Sequence, residues 1–292
     1  MVNQLYSDRE RGARPRTFET VEERAWAGLV AQLQQRVANG SFGYGFPAEC
    51  QDREGTIGCD DTALGMALKA EVGIDWPLNP HQLPDDQLAI WDALEFLFEH
   101  VGKPIQGKHH QHFGHHHLTF DAETGQKEFA ASINRLLARN GIAFELTDTG
   151  QVRRLLAEHI GEQIARARFQ TGDAETDRLL EAARAGITSP AFEDRKNGLD
   201  KLWAFERLKT LEPGSNKEAT ANALLNKVSG GPVFQELLSY EATALTKAGN
   251  NLGIRHFETN QELLQNPQQV DYLFFRMFAF LQLLLRASGR GI

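Results

Sequence analysis

The sequence predicts a mainly α protein, with an α+β N-terminal part that carries one β-hairpin and an all-α helical bundle after it. Three observations predict this. Apolar residues recur at three- and four-residue intervals through most of the 292 residues, the spacing that lines one face of an α-helix. One pair of alternating runs flanks a turn near 142–155. From about residue 157 the helical pattern is almost uninterrupted, so the chain divides into domains of 1–157 and 158–292.

The elements follow in order. An arginine-rich start, with Arg9, Arg11, Arg14 and Arg16, precedes a helix over 19–38 whose inner face is Trp26, Leu29, Val30, Leu33 and Val37. Those arginines have the chemistry to contact phosphate, but a solvated terminal segment is the favoured explanation. Asn39-Gly40 stops the helix. A Gly- and aromatic-rich loop, 41–47, lacks the Gly-Lys-Ser/Thr of a phosphate-binding loop. Helices are expected from about 60 to 73 and from 85 to 101, the second with Leu88, Trp91, Leu94, Leu97 and Phe98 inward. After a histidine-rich stretch comes a helix over 123–140 that buries Phe129, Ile133 and Leu136. Then 142–146 and 151–155 alternate around Thr147-Asp148-Thr149-Gly150, which predicts the hairpin. The bundle helices are expected at 158–169, 173–186, 190–211, 217–229, 232–248 and 267–287, with Pro232 and Pro267 in first turns.

Composition narrows the function. An apolar fraction of 41% and a net charge of −8 describe a globular chain without a broad nucleic-acid-coating surface. A small basic pocket stays compatible with both. No apolar signal core opens the chain. The most apolar run, 272–285, is too short for a membrane span and is interrupted by Arg276 and Gln282. Two cysteines, Cys50 and Cys59, flank a Gly- and Asp-rich turn. They have the option of pairing, but so few thiols fit a reducing, cytoplasmic setting and a structural or incidental role. No Rossmann fingerprint, nucleophile elbow or His-Glu-x-x-His is present.

Two stretches carry chemistry. The first is Lys247-Ala248-Gly249-Asn250-Asn251-Leu252-Gly253-Ile254-Arg255-His256-Phe257-Glu258-Thr259. Here His256 can move a proton, Arg255 can stabilise phosphate charge, and Asn250 and Asn251 can orient a scissile group. Lys247 and Glu258 flank them as substrate-binding candidates. That set suits metal-independent RNA cleavage, in which a base removes a 2′-hydroxyl proton. Helix capping by Asn250, Gly253 and Glu258-Thr259 is the simpler alternative. The second stretch holds six of the ten histidines: His109, His110, His112, His115, His116 and His117. Imidazole is a common metal ligand. The run fits several ligand spacings and selects none, and no cysteine is close in sequence. No metal ligand or cofactor is therefore assigned, and a metal-dependent enzyme built on the 109–117 histidines stays a third reading. Its alternation predicts a partly buried strand or turn.

The run Leu199-Asp200-Lys201-Leu202-Trp203-Ala204-Phe205-Glu206-Arg207-Leu208-Lys209-Thr210-Leu211, the Gly253-Ile254-Arg255-His256 segment and Val270-Asp271-Tyr272-Leu273-Phe274-Phe275-Arg276 resemble the C-terminal part of AbiJ-like abortive-infection proteins. That part is similar to a HEPN domain. Tyr6-Ser7-Asp8-Arg9, His117-Leu118-Thr119-Phe120-Asp121, Ile133-Asn134-Arg135 and the 139–146 run resemble AbiJ-type N-terminal domains. The likeness spans most of the chain and is diffuse. It implies an RNA-directed antiphage effector that works as a homodimer in the cytoplasm, off the membrane, under a phage or host trigger. Active HEPN ribonucleases pair an Arg with a following His at the start of the last helix. His256 matches that His, whereas Gly249, Asn250 and Asn251 stand where the Arg belongs and Arg255 lies beside the His. The resemblance therefore leaves two classes open: a HEPN-type endoribonuclease, or a non-catalytic RNA-binding or regulatory module.

Overall fold

In the computed structural model, residues 5–212, 214–254 and 261–291 are described. The chain forms two compact units, Met1–Leu155 and Leu156–Ile292, each with its own apolar core. The fold is mainly α, with an α+β first unit.

The first unit contains α1 (Tyr6–Arg11), α2 (Glu23–Ala38), β1 (Pro47–Glu49), β2 (Thr56–Cys59), α3 (Asp61–Glu71), α4 (Leu88–Glu99), β3 (Lys103–His110), β4 (His115–Asp121), α5 (Ala122–Arg139), β5 (Phe144–Leu146) and β6 (Val152–Arg154). The amphipathic faces read from the sequence meet in its core. Trp26, Leu29 and Leu33 of α2, Trp91, Leu94 and Leu97 of α4, and Phe129 and Ile133 of α5 are buried there, joined by Ile90 and Leu137, whereas Leu136, expected inward, is only partly buried. Leu88, expected inward, is 40% exposed because α4 begins with it. β5 and β6 form the expected hairpin, with Glu145 opposite Arg153. Asn134 of α5 holds it by two 2.8 Å hydrogen bonds, accepting from the Leu146 N–H and donating to its carbonyl. The N-terminal arginines are partly structural. Arg16 Nε donates to the Ile142 carbonyl at 2.8 Å, and Arg14 lies over the Phe18 ring.

A second sheet is an addition to the expected fold. Its four antiparallel strands run in the order β1-β2-β4-β3. Two capped helices frame it. Asp60 accepts from the Ala63 N–H to start α3, and Asp121 accepts from the Thr124 N–H to start α5. Gly125 explains how closely α5 approaches: a Cβ there would lie 2.3 Å from the Lys103 backbone nitrogen. The base of the β3–β4 hairpin is thereby fixed against α5. Its other end, with the β1–β2 turn beside it, carries the site described below.

The second unit is all-helical: α6 (Glu158–Arg166), α7 (Ala174–Ile187), α8 (Phe192–Lys201), α9 (Ala204–Thr210), α10 (Lys217–Ser229), α11 (Pro232–Asn251) and α12 (Pro267–Ala287). The expected 190–211 helix is interrupted at Leu202–Trp203, where both side chains turn into the core. Among the described residues no helix is long and apolar enough to cross a membrane. α12 instead buries Val270, Phe274, Met277, Leu281 and Leu284.

A buried carboxylate after α9 ties α10 to the segment that follows α12. Glu212 is 5% exposed and accepts from Lys227 Nζ at 2.7 Å and from Arg290. Burial pushes its carboxyl up, but the two cationic donors outweigh burial and hold it below its ordinary value. A carboxylate depressed on folding stabilises the fold fully above its unfolded pKa of about 4.3 and loses that contribution as pH falls through the folded value. Glu212→Gln is expected to cost about 2–4 kcal/mol at pH 7. In denaturant titrations the gap from wild type should close below about pH 4; a gap independent of pH would contradict this account of the pair.

Candidate metal centre

The β3–β4 hairpin carries all six clustered histidines, and its register sorts them. From Lys103↔Asp121 to Gln106↔Leu118 the strands pair without interruption, and then the register shifts. Beyond the shift His109 faces His116 and His110 faces His115. In an unshifted register His109 would stand opposite His115. The extra residue of this β-bulge puts His110 there instead, on the sheet face shared by His115 and His117. Gly107 and Lys108 span the bulge, and the Gly107 carbonyl accepts from His116 Nδ1 at 3.0 Å, on the opposite face. His109 and His116 pair on that face, with ring centroids 4.8 Å apart.

The other donor comes from far away in sequence. β2 pairs with β4 at Thr56↔Leu118, which lays the β1–β2 turn alongside the histidines. The turn is closed by the Cys50 N–H donating to the Gly55 carbonyl and the Arg53 N–H donating to the Cys50 carbonyl, both at 2.8 Å. Gly55 is required by proximity, since a Cβ there would sit 2.9 Å from His117 Cγ. Cys50 is 2% exposed, with Sγ 3.2 Å from His115 Nε2 and 3.5 Å from His110 Nδ1. One donor atom from each of Cys50, His110, His115 and His117 can be chosen so that all four lie within 4.8 Å of one another. Donors bound tetrahedrally to zinc stand about 3.3–3.7 Å apart. Two of the sulfur–nitrogen separations are thus near that range already, and the widest must close by about 1 Å.

The surroundings suit a cation. His117 Nε2 is buried and has no hydrogen-bond partner among the described residues, a costly condition for a polar atom. Burial, and then His110 and His117, push the His115 pKa down and favour the neutral imidazole that binds metal. Burial and a hydrogen bond to Asp52 push the Cys50 thiol up. Asp52 in turn is held below the ordinary carboxylate range, chiefly by that bond from Cys50. A divalent cation reverses this protonation by binding the thiolate. Phe113, in the hairpin turn, stacks on His115 and packs edge-on against His110, partly covering the cluster.

The expectation that no cysteine lies close to the histidines holds for sequence distance and fails in space. Cys50 and His110 are 60 positions apart. Both cysteines are free rather than paired. Cys59 stands apart from the cluster, its thiol pushed up to about 12 by burial and by Asp61 and Asp60. His109 and His116 fall on the other face, and His112 lies in the turn against Phe113.

The other candidate segment is described in part. Lys247, Asn250 and Asn251 are exposed at the end of α11, where their spacing places them on one helix face. The Asn250 carbonyl accepts from Gln261 Nε2, and the Asn251 carbonyl accepts from the Glu262 N–H. Gly253, with φ +61, ends the helix, as the capping alternative expects. Arg255, His256 and Glu258 lie outside the described residues. Comparison of the chain with protein-family models, with curated proteins and with solved structures finds no match.

Proposed function

We propose that this is a zinc-binding protein whose first unit is organised by a metal centre of Cys50, His110, His115 and His117. The observation that carries the reading is the buried His117 Nε2, without a hydrogen-bond partner among the described residues and grouped with three other donors. One thiolate with three imidazoles is a borderline-soft set that suits zinc, and four protein ligands make a closed, structural site rather than one with an open catalytic position. Elemental analysis of protein purified without an affinity tag tests it. The expected result is one zinc per chain in wild type and less than about a tenth of that in His117→Ala. His109→Ala, from the opposite face, should retain the metal. Equal metal content in the His117 and His109 variants would refute the assignment.

A second reading concerns the helical unit: an RNA-directed antiphage effector, acting as a cytoplasmic homodimer. Lys247, Asn250 and Asn251, exposed on one face of α11, support it. Wild type and His256→Ala are compared on total RNA without added metal. Fragments ending in 2′,3′-cyclic phosphate from wild type alone would favour a HEPN-type endoribonuclease. RNA retention without cleavage would favour the non-catalytic module, and neither cleavage nor binding would count against both.

A further inference from the structure

We infer that Asp52 is a fifth donor to the same metal, an inference that rests on the centre proposed above. Three observations converge on it. Asp52 Oδ2 lies 3.3 Å from His110 Nδ1, the same nitrogen that lies 3.5 Å from Cys50 Sγ. Neighbouring oxygen and nitrogen ligands on one zinc ion are separated by about 3 Å, so this spacing is that of two atoms sharing a metal. The other carboxylate oxygen is already engaged, because Oδ1 accepts from the Glu54 N–H at 3.0 Å. Asp52 is therefore oriented to offer a single oxygen.

Charge supplies the third argument. A divalent ion held by one thiolate and three neutral imidazoles keeps a net charge of about +1. Cys50 is 2% exposed, and an uncompensated charge in such surroundings is costly. One carboxylate brings the centre to neutrality. Asp52 falls outside the four-donor group, so it would have to move further than the other donors to reach the ion. The alternative arrangement has Asp52 accepting a hydrogen bond from His110 Nδ1, which would oblige His110 to bind through Nε2 and leave the metal four-coordinate.

Cobalt(II) distinguishes the two. The apo protein is titrated with cobalt, and visible absorption is recorded for wild type and Asp52→Asn. Asn keeps the Oδ1 acceptor and hence the turn. The expected wild-type spectrum has the weak d–d bands of five-coordinate cobalt beside a thiolate charge-transfer band. Asp52→Asn should show d–d bands several-fold more intense, those of a tetrahedral ion, and bind cobalt about tenfold or more weakly. Intense tetrahedral bands in both proteins would overturn the inference while leaving the four-ligand centre standing, even if the variant bound more weakly. Failure of wild type to take up one cobalt per chain would remove the centre itself.

Discussion

Chelation of the metal is expected to lower the melting temperature of the first unit by about 10 °C. The estimate follows from linkage. A ligand present at a thousand times its dissociation constant stabilises the native state by about 4 kcal/mol, and in a unit of this size 1 kcal/mol shifts the midpoint by about 2–4 °C. The loss is not complete unfolding, because Phe129, Leu29, Leu94 and their neighbours form a core that owes nothing to the site. Its local signature is sharper. Hydrogen exchange should rise at 47–59 and 103–121, which carry the donors, and stay unchanged across α12. Calorimetry and exchange are run with and without a zinc-selective chelator. Identical traces would show that the first unit draws no stability from a metal.

Gly125→Ala is expected to destabilise the first unit by about 3 kcal/mol or more, the scale of severe overpacking. A methyl group there would lie 2.3 Å from the Lys103 nitrogen, 2.5 Å from the Gly102 carbonyl carbon and 2.6 Å from Gly102 Cα. All three are backbone atoms, so no rotamer change relieves the contact. Either the first turn of α5 withdraws or the base of the β3–β4 hairpin does. If the hairpin moves, its histidines shift relative to Cys50, so zinc affinity should fall along with stability. Gly58→Ala is the matched control: a methyl group at Gly58 meets nothing within 4 Å, and its effect should stay within about 0.5 kcal/mol. Urea midpoints of the two variants that coincide would refute the packing argument.

The helices were legible because their signal is local. The apolar faces of α2, α4, α5 and α12 repeat with the period of the backbone that forms them, and Pro232, Pro267 and Asn39-Gly40 mark ends. The four-stranded sheet was legible only at the histidine run, whose alternation predicts the partly buried strand or turn found at β4; β1 spans three residues and β3 alternates poorly because most of it is exposed. The break between α8 and α9 contains neither Pro nor Gly and is set by the packing of Leu202 and Trp203. The metal centre was half legible. A dense run of histidines announces metal chemistry, but alternation alone would group His110 with His112 and His116 rather than with His115 and His117. The bulge at Gly107 decides otherwise, and no local pattern encodes it. Cys50 and Asp52 come from a turn brought in by strand pairing. A Cys-x-Asp inside a Gly-rich turn was the available signal, too common by itself to be informative.

The separation of Cys50 from His110 along the chain has a consequence for the unfolded state. With the metal in place, the two turns are joined across 60 positions. A covalent link closing a loop of that length removes chain entropy worth about 4 kcal/mol at 25 °C. Both cysteines are free, so this chain has no such covalent link. The metal ties the same kind of knot through a thiolate and imidazoles, in conditions where a disulfide would be reduced. It can also be untied without breaking a covalent bond, which makes the cross-link as strong as the supply of the ion that forms it.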